Sequence, residues 1–354
     1  VATSGGHRDL DQVCDGLTSW CREHRPDLVA GGLAELVHPS SGMSNETIIV
    51  QGEPGSDGAP GARFVVRLPP VVASFPDLDF GLPVRVQEAV GAAGIPVAGP
   101  TSFEADPSWL GAPFVIMPFV DGFIPGPGSL FDPWLTEATE AQRRDAQREM
   151  VRTLAAIAQV DWHVPDLEVL LGQGTGSLAD QLDQWEHYLG WAADGRSFPR
   201  IEALLAWCRE HAPAEVAAPS LVWGDPRLEN LVFNDQRKVS AVLDWELATI
   251  GPAEMDLGWY LGLEAVLHEL TGMDPLAGFA SPDEVVADLA DALGRPVQDP
   301  VWHQIFAVVR SVCINVRQAD ISAQAGVKYL LPRGEKNPLV AVAEQWAAEH
   351  RSPT

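Results

Sequence analysis

The chain has 354 residues, 46% of them hydrophobic and 20% charged, a composition that folds and a length that calls for two lobes or domains. Its 49 acidic residues against 23 lysines and arginines leave a formal charge of −26, which repels phosphate backbones and anionic bilayers. Nucleic acid and membrane surfaces are thereby excluded as partners, and any pocket for an anionic ligand must be locally positive. Cys14, Cys21, Cys208 and Cys313 show neither zinc spacing nor a Cys-x-x-Cys pair, so reduced structural thiols in a cytoplasmic protein are expected. The chain opens on Val1 rather than Met, which points to material trimmed ahead of it.

Residues 9–24 place Leu10, Val13, Leu17, Trp20 and Cys21 on one face of an amphipathic helix. Strands follow at Leu33–Val37 and Thr47–Val50, separated by a turn over Pro39–Gly42. Residues 52–61 form a Gly/Pro/Ser/Asp loop, and the β-branched run Arg63–Leu68 reads as a central strand stopped by Pro69 and Pro70. Val84–Ala93 is a short helix, and Pro96–Phe103 and Phe114–Phe119 are further strands. After Asp121 and Gly122 the pattern becomes helical, at 137–160, 178–193, 199–211, 282–293, 300–325 and 337–350, interrupted by a β-rich patch over Leu221–Thr249. The expected organisation is a sheet lobe over 1–120, a hinge, and a larger helical lobe over 121–354.

The β-rich patch carries the chemistry. Asp225 and Asn230 lie five apart in a loop entered and left by apolar strands. Asp244 closes the next apolar strand, fourteen residues after Asn230, with a polar turn at 234–238 between them. A hairpin is expected to bring Asp225, Asn230 and Asp244 to one end of the same ribbon. Phosphoryl transfer needs that set. One carboxylate orients the acceptor hydroxyl and takes its proton, while an amide oxygen and a second carboxylate hold Mg²⁺. The protein-kinase pattern H-R-D-x-x-x-x-N followed by D-F-G supplies the same parts. Any one of these residues would read as an ordinary turn residue. The register of all three with apolar flanks, together with the family-like continuation over Leu247–Pro252 and Asp256–Trp259, decides for a kinase-type site.

The stretch Gly224, Asp225, Asn230, Leu243, Asp244, Trp245 and Glu246, with its continuation Leu247–Pro252 and Asp256–Trp259, resembles the aminoglycoside phosphotransferase family, which shares the protein-kinase fold. Arg227-Leu228 and the run Asp244–Thr249 look closest to the branch of kinase-like domains found beside acyl-CoA dehydrogenases. The resemblance covers about residues 30–330 and is concentrated in 221–259. It implies an α+β, bilobal protein-kinase-like fold with a small antiparallel-sheet N-lobe and a larger helical C-lobe. It further implies Asp225 as catalytic base, Asn230 and Asp244 as Mg²⁺ ligands, and Arg227 as a second catalytic residue that neutralises charge on the transferring phosphoryl group. Asp256 is expected to tie down the loop. Two departures stand out: Trp223 replaces the usual His, and Trp245-Glu246 replaces Phe-Gly, removing the Gly hinge and implying a constitutive enzyme.

On the nucleotide side, Ser41, Gly42, Ser44 and Asn45 resemble the family's reduced Gly-rich loop over the ATP phosphates. Arg67, between apolar residues of a central strand, takes the place of the phosphate-pairing lysine, and its fork suits phosphate oxygens. Glu88 is the candidate acid to orient it. Met117, Pro118 and Val120 fall in the expected interlobe hinge, where main-chain groups would read adenine.

Other signals fail. There is no P-loop motif and no G-x-S-x-G elbow, and Gly172, Gly174 and Gly176 lack dinucleotide spacing. The nine His residues show no ligand spacing, and the twelve Trp residues read as core and lobe packing. The sequence thus predicts an ATP- and Mg²⁺-dependent kinase for a small-molecule hydroxyl acceptor, with no obligate protein partner. The acceptor stays open between a polycationic aminoglycoside and a hydroxyacyl-CoA or other metabolite. A nucleotide-binding pseudokinase regulator is the alternative of a different class.

Overall fold

The computed structural model describes residues 8–39, 45–54, 60–76, 79–172, 174–214, 217–324, 326, 329 and 331–350. The chain divides into two compact units, one of Val1–Glu88, Ala98–Val120 and Ile321–Lys328, the other of Ala89–Val97, Asp121–Asp320 and Tyr329–Thr354.

In the first unit, α1 (Leu10–His24) starts at Asp9, whose side chain accepts from the Asp11 N–H. Strands β1 (Leu33–Val37), β2 (Glu46–Gly52) and β3 (Arg63–Leu68) follow, then α2 (Leu82–Ala92), of which the residues from Ala89 on belong to the second unit, β4 (Ser102–Glu104) and β5 (Phe114–Pro118). The strands form one antiparallel sheet in the order β1-β2-β3-β5-β4. Alternation along β2 and β3 puts Ile48, Val50, Phe64, Val66 and Leu68 on one face, where Val13, Leu17, Trp20 and Cys21 of α1 cover them. Each such buried side chain contributes about 1.5–3 kcal/mol. The sequence reading extended the β4 strand back to Pro96. The strand is only three residues long, because Val97 instead makes a parallel bridge to Val242 in the second unit, with the Val242 N–H donating to Pro96.

The second unit runs α3 (Pro133–Thr136), α4 (Glu140–Ala158), α5 (Pro165–Glu168), α6 (Leu178–Ala193) and α7 (Pro199–Glu210), then four short strands, then four helices. The strands are β6 (Ser220–Val222), β7 (Leu231–Phe233), β8 (Val239–Val242) and β9 (Thr249–Gly251), and the helices are α8 (Glu254–Thr271), α9 (Pro282–Leu293), α10 (Pro300–Gln324) and α11 (Pro338–Glu349). Capping boxes Thr139/Gln142, Ser177/Asp180 and Ser281/Glu284 fix the starts of α4, α6 and α9. The N–H groups of Thr175 and Ser177 hold the Asp180 carboxyl down at about 2. Helix α8 was missing from the sequence reading. Buried residues occupy both sides of its first three turns and two glycines interrupt them, so no amphipathic period marks it. Those glycines admit neighbours closely: a Cβ on Gly258 would lie 2.4 Å from the His303 backbone of α10. Among the described residues, no helix is long and apolar enough to cross a membrane.

Candidate active site

Strand β6 pairs antiparallel with β9, Leu221 opposite Ile250, while β7 pairs with β8, Leu231 opposite Val242. The expected single ribbon is therefore two. Asn230 precedes β7 and Asp244 follows β8, at the same end of one hairpin. Asp225 arrives separately, on the loop after β6.

That loop is fixed through its backbone. Both oxygens of Asp256, in the first turn of α8, accept: Oδ2 from the Trp223 N–H and Oδ1 from the Gly224 N–H, each at 2.8 Å. Asp256 is 2% exposed, and burial, reinforced by the charge of Asp225, raises its carboxyl to about 6 against the pull of those N–H groups and Arg310. Gly224 turns the chain at φ +96°, and a Cβ there would stand 2.1 Å from the Leu247 carbonyl oxygen.

Asp225 itself is 8% exposed and takes three side-chain donors. Its Oδ2 accepts from Arg227 at 2.7 Å and from Asn230 Nδ2 at 2.9 Å, and its Oδ1 accepts from Trp259 Nε1 at 2.7 Å. Asn230 Nδ2 also donates to the Asp225 carbonyl at 2.9 Å. The Asn230 amide nitrogen thus faces Asp225, and its Oδ1 takes no part in these bonds. Arg227 is 42% exposed, yet its Nε is buried with no hydrogen-bond partner among the described residues. Burial works against its charge, but Asp225, Glu229 and Asp244 outweigh burial and hold the guanidinium above its ordinary range.

Asp244 sits in the left-handed region at φ +59°, a strained conformation of the kind that collects at functional sites. Trp223 Nε1 donates to the Leu243 and Asp244 carbonyls at 2.9 and 3.0 Å, and the Leu243 N–H donates to the Asn230 carbonyl at 2.9 Å. Trp223 therefore stitches the Asp225 loop to the Asp244 strand end. Its neighbour Trp245 packs beside it with ring centroids 6.2 Å apart.

The second unit thus brings Asp225, Arg227 and Asn230 into mutual contact and ties Asp244 to them through the backbone. The first unit carries the nucleotide candidates. Arg67 lies on β3 opposite Thr47 and Val115, Met117 and Pro118 close β5, Val120 follows it, and Asn45 sits in a bend before β2. Glu88 accepts from the Thr101 hydroxyl. Ser41, Gly42 and Ser44 lie outside the described residues.

Two site residues escaped the sequence reading: Trp259, read only as part of a matched motif, and Arg310. The signal for Arg310 was present, a lone cation inside Val308-Val309-Arg310-Ser311-Val312. A buried charge is retained only where it meets a countercharge or a hydrogen-bonding need. On α8, Glu264 accepts from the Ser129 hydroxyl at 2.7 Å, and burial raises its carboxyl to about 7.

Comparison with known proteins places the chain in a family. The sequence matches the phosphotransferase enzyme family over residues 35–304. Curated relatives include the acyl-CoA dehydrogenase IBR3 of Arabidopsis thaliana, 29% identical over 77% of this chain and 34% of that protein. Another is acyl-CoA dehydrogenase family member 11 of Pongo abelii, 32% identical over 63% of this chain and 29% of that protein. The chain spans about a third or less of the length of these relatives. Among solved structures, one assigned as an aminoglycoside phosphotransferase from Ralstonia eutropha superposes with a TM-score of 0.66, at 24% identity, over 95% of this chain and 98% of that one. The ethanolamine kinase of Plasmodium vivax gives 0.55 at 11% identity, over 94% of this chain and 84% of that one. The fold is therefore the kinase-like α+β fold that the sequence predicts, and the chain belongs to the phosphotransferase enzyme family.

Proposed function

We propose that the chain is an ATP- and Mg²⁺-dependent kinase that phosphorylates a hydroxyl of a small molecule, without an obligate protein partner. The observation that carries this reading is the fixed Asp225 carboxylate. Trp259 holds one oxygen, and Arg227 and Asn230 hold the other, on a loop that Trp223 ties to the strained Asp244.

The donor set fits a hard cation. The Asn230 Oδ1 and the Asp244 carboxylate would supply the oxygen ligands, and Mg²⁺ takes one or two protein carboxylates beside substrate phosphates. When bound, Mg²⁺ neutralises charge on the phosphate oxygens. Asp225 orients the acceptor hydroxyl and takes its proton as the acceptor oxygen bonds to the γ-phosphorus. The bond from that phosphorus to the β–γ bridging oxygen breaks, and ADP leaves. Arg227, with one N–H group still unpartnered among the described residues, offers positive charge to the transferring group. Ser41, Gly42, Ser44, Asn45 and Arg67 would take the phosphates, and Met117, Pro118 and Val120 the adenine.

For the acceptor, the relatives are named as acyl-CoA dehydrogenases, which supports a hydroxyacyl-CoA as one candidate, and the structural neighbours include aminoglycoside phosphotransferases, which supports the other. ADP release from Mg-ATP, measured against a panel of both classes with Asp225→Ala as control, tests the reading. Turnover on one class, abolished in the variant, supports it and names the acceptor. Nucleotide bound with no turnover on any acceptor would favour the regulator instead, and failure to bind ATP would overturn the proposal.

A further inference from the structure

Gly224, the residue just before Asp225, is held at both of its backbone groups. Its N–H donates to Asp256 of α8 at 2.8 Å, and its carbonyl accepts from Arg310 Nη2 of α10 at 3.3 Å. Arg310 is 1% exposed. Its guanidinium lies 4.8 Å from the ring centroid of Trp259, 5.0 Å from that of Trp185 and 5.8 Å from that of Phe306. Trp259 is the residue that donates to Asp225 Oδ1. Arg310 therefore touches both the backbone that leads into Asp225 and the indole that orients its carboxylate.

Burying a guanidinium is costly, and its Nε has no hydrogen-bond partner among the described residues. Helix packing alone would be served better by an apolar side chain. The charge answers two buried carboxylates, Asp225 and Asp256, which act on Arg310 from the loop and from α8. Asp256 accepts two N–H bonds, one on each oxygen, an arrangement that favours the carboxylate over the acid, which gives up acceptor capacity on its protonated oxygen. We propose that Arg310 is a positioning residue of the phosphotransfer site: it holds the Gly224 carbonyl, seats the Trp259 indole, and supplies the positive charge opposite the Asp256 carboxylate that grips the loop.

The surroundings make this readable. Near Arg310 on α10, burial pushes Cys313 up to about 12 and His303 down to about 4. His303 faces Glu254 of α8, whose carboxyl Arg295 holds below its ordinary value despite burial. Of these groups, Asp256, at about 6, is the one that titrates near neutral pH. Without Arg310 the Asp256 carboxyl would rise, so its proton would be taken up, and the grip on the loop weakened, at a higher pH.

The inference rests on Asp225 acting as the base, but its test does not depend on turnover. In protein labelled with ¹⁵N-tryptophan, the Trp223 N–H reports on Asp256 and the Trp259 indole N–H reports on Asp225. The Trp223 signal of the native protein should titrate with a midpoint near 6. In Arg310→Met and Arg310→Gln the midpoint should rise by about one pH unit or more, and the Trp259 indole should lose its hydrogen-bonded shift. Arg310→Lys, which keeps the charge, should stay within about half a unit. Neutral variants with the native midpoint would overturn the proposal even if their Tm fell, since that is the signature of simple packing. A native midpoint above about 7 would overturn it with no variant at all. In the ADP-release assay the neutral variants should lose about 10- to 100-fold in kcat with KM for ATP changed less than about threefold. If the native protein turns nothing over, the kinase reading fails, while the tryptophan spectra still decide the role of Arg310.

Discussion

Replacing Trp259 with Phe removes one N–H from the site and leaves most of the ring. That N–H donates to Asp225 Oδ1 at 2.7 Å, in a place where Trp259 is 4% and Asp225 8% exposed, so little water can replace it. A hydrogen bond to a charged group is worth about 1.5–3 kcal/mol, and the lost ring volume adds on the order of 1 kcal/mol. The expected destabilisation is about 2–4 kcal/mol. The kinetic effect should be the more specific one. With Oδ1 released, the carboxylate can pivot about the Oδ2 bonds to Arg227 and Asn230. A misplaced base costs about 10- to 100-fold in kcat, with KM for ATP nearly unchanged. Trp302→Phe is the matched control. Trp302 is fully buried and donates its Nε1 to the Cys208 carbonyl at 3.1 Å, so it loses a similar ring and a similar donor away from Asp225. Both variants should lower Tm. Only Trp259→Phe should lower kcat, and equal kcat in the two would refute the assignment of Trp259 to Asp225.

Three further outcomes are expected. Gly224→Ala places a Cβ 2.1 Å from the Leu247 carbonyl at a φ of +96°, so it should abolish turnover or soluble expression, and an active, stable variant would contradict the loop geometry. Trp223→Phe removes the donor to the Leu243 and Asp244 carbonyls and should raise the Mg²⁺ requirement about tenfold, read from Mg²⁺ titrations of turnover. An unchanged requirement would detach Trp223 from Asp244. Glu264 has a carboxyl raised by burial from 4.5 to about 7, so its stabilising contribution is fully present below 4.5 and is lost as pH rises through 7. Glu264→Gln should therefore raise Tm at pH 8 but not at pH 5, and an equal shift at both would show that Glu264 does not titrate as described.

How much of this was legible depends on whether the information is local. Asp225, Asn230 and Asp244 announce themselves because they lie within twenty residues, flanked by short apolar strands. Helix α6 and helix α9 were placed to the residue because caps and period agree. The pairing of β6 with β9 was not readable. Each is only three residues long, Ser-Leu-Val and Thr-Ile-Gly, and nothing in either specifies a partner over the nearer β7. Helix α8 was hidden because its first half is buried all round, which erases the contrast that periodicity needs. Trp259 and Arg310 belong to the same class of loss. They reach Asp225 and Gly224 from 34 and 86 residues away, and only the packing of α8 and α10 makes them neighbours.

The same packing bears on whether the Asp244 segment can switch. Phe-Gly would put a flexible residue two after the carboxylate; here Trp245-Glu246 occupies those places. Trp245 is 2% exposed, its Nε1 donates to the Val242 carbonyl at 3.3 Å, and its ring lies against Trp223. Swinging it out would expose an indole whose burial is worth roughly 4–6 kcal/mol, before counting the hydrogen bond. It would also loosen the contact that backs Trp223, whose indole holds the Asp244 carbonyl. An inactive conformer reached that way would be populated at under about one part in a thousand. Asp244 is thus tethered by the residue on its C-terminal side and, through Trp223, by the loop that carries Asp225. A phosphotransferase built this way would not be switched by flipping the Asp244 segment.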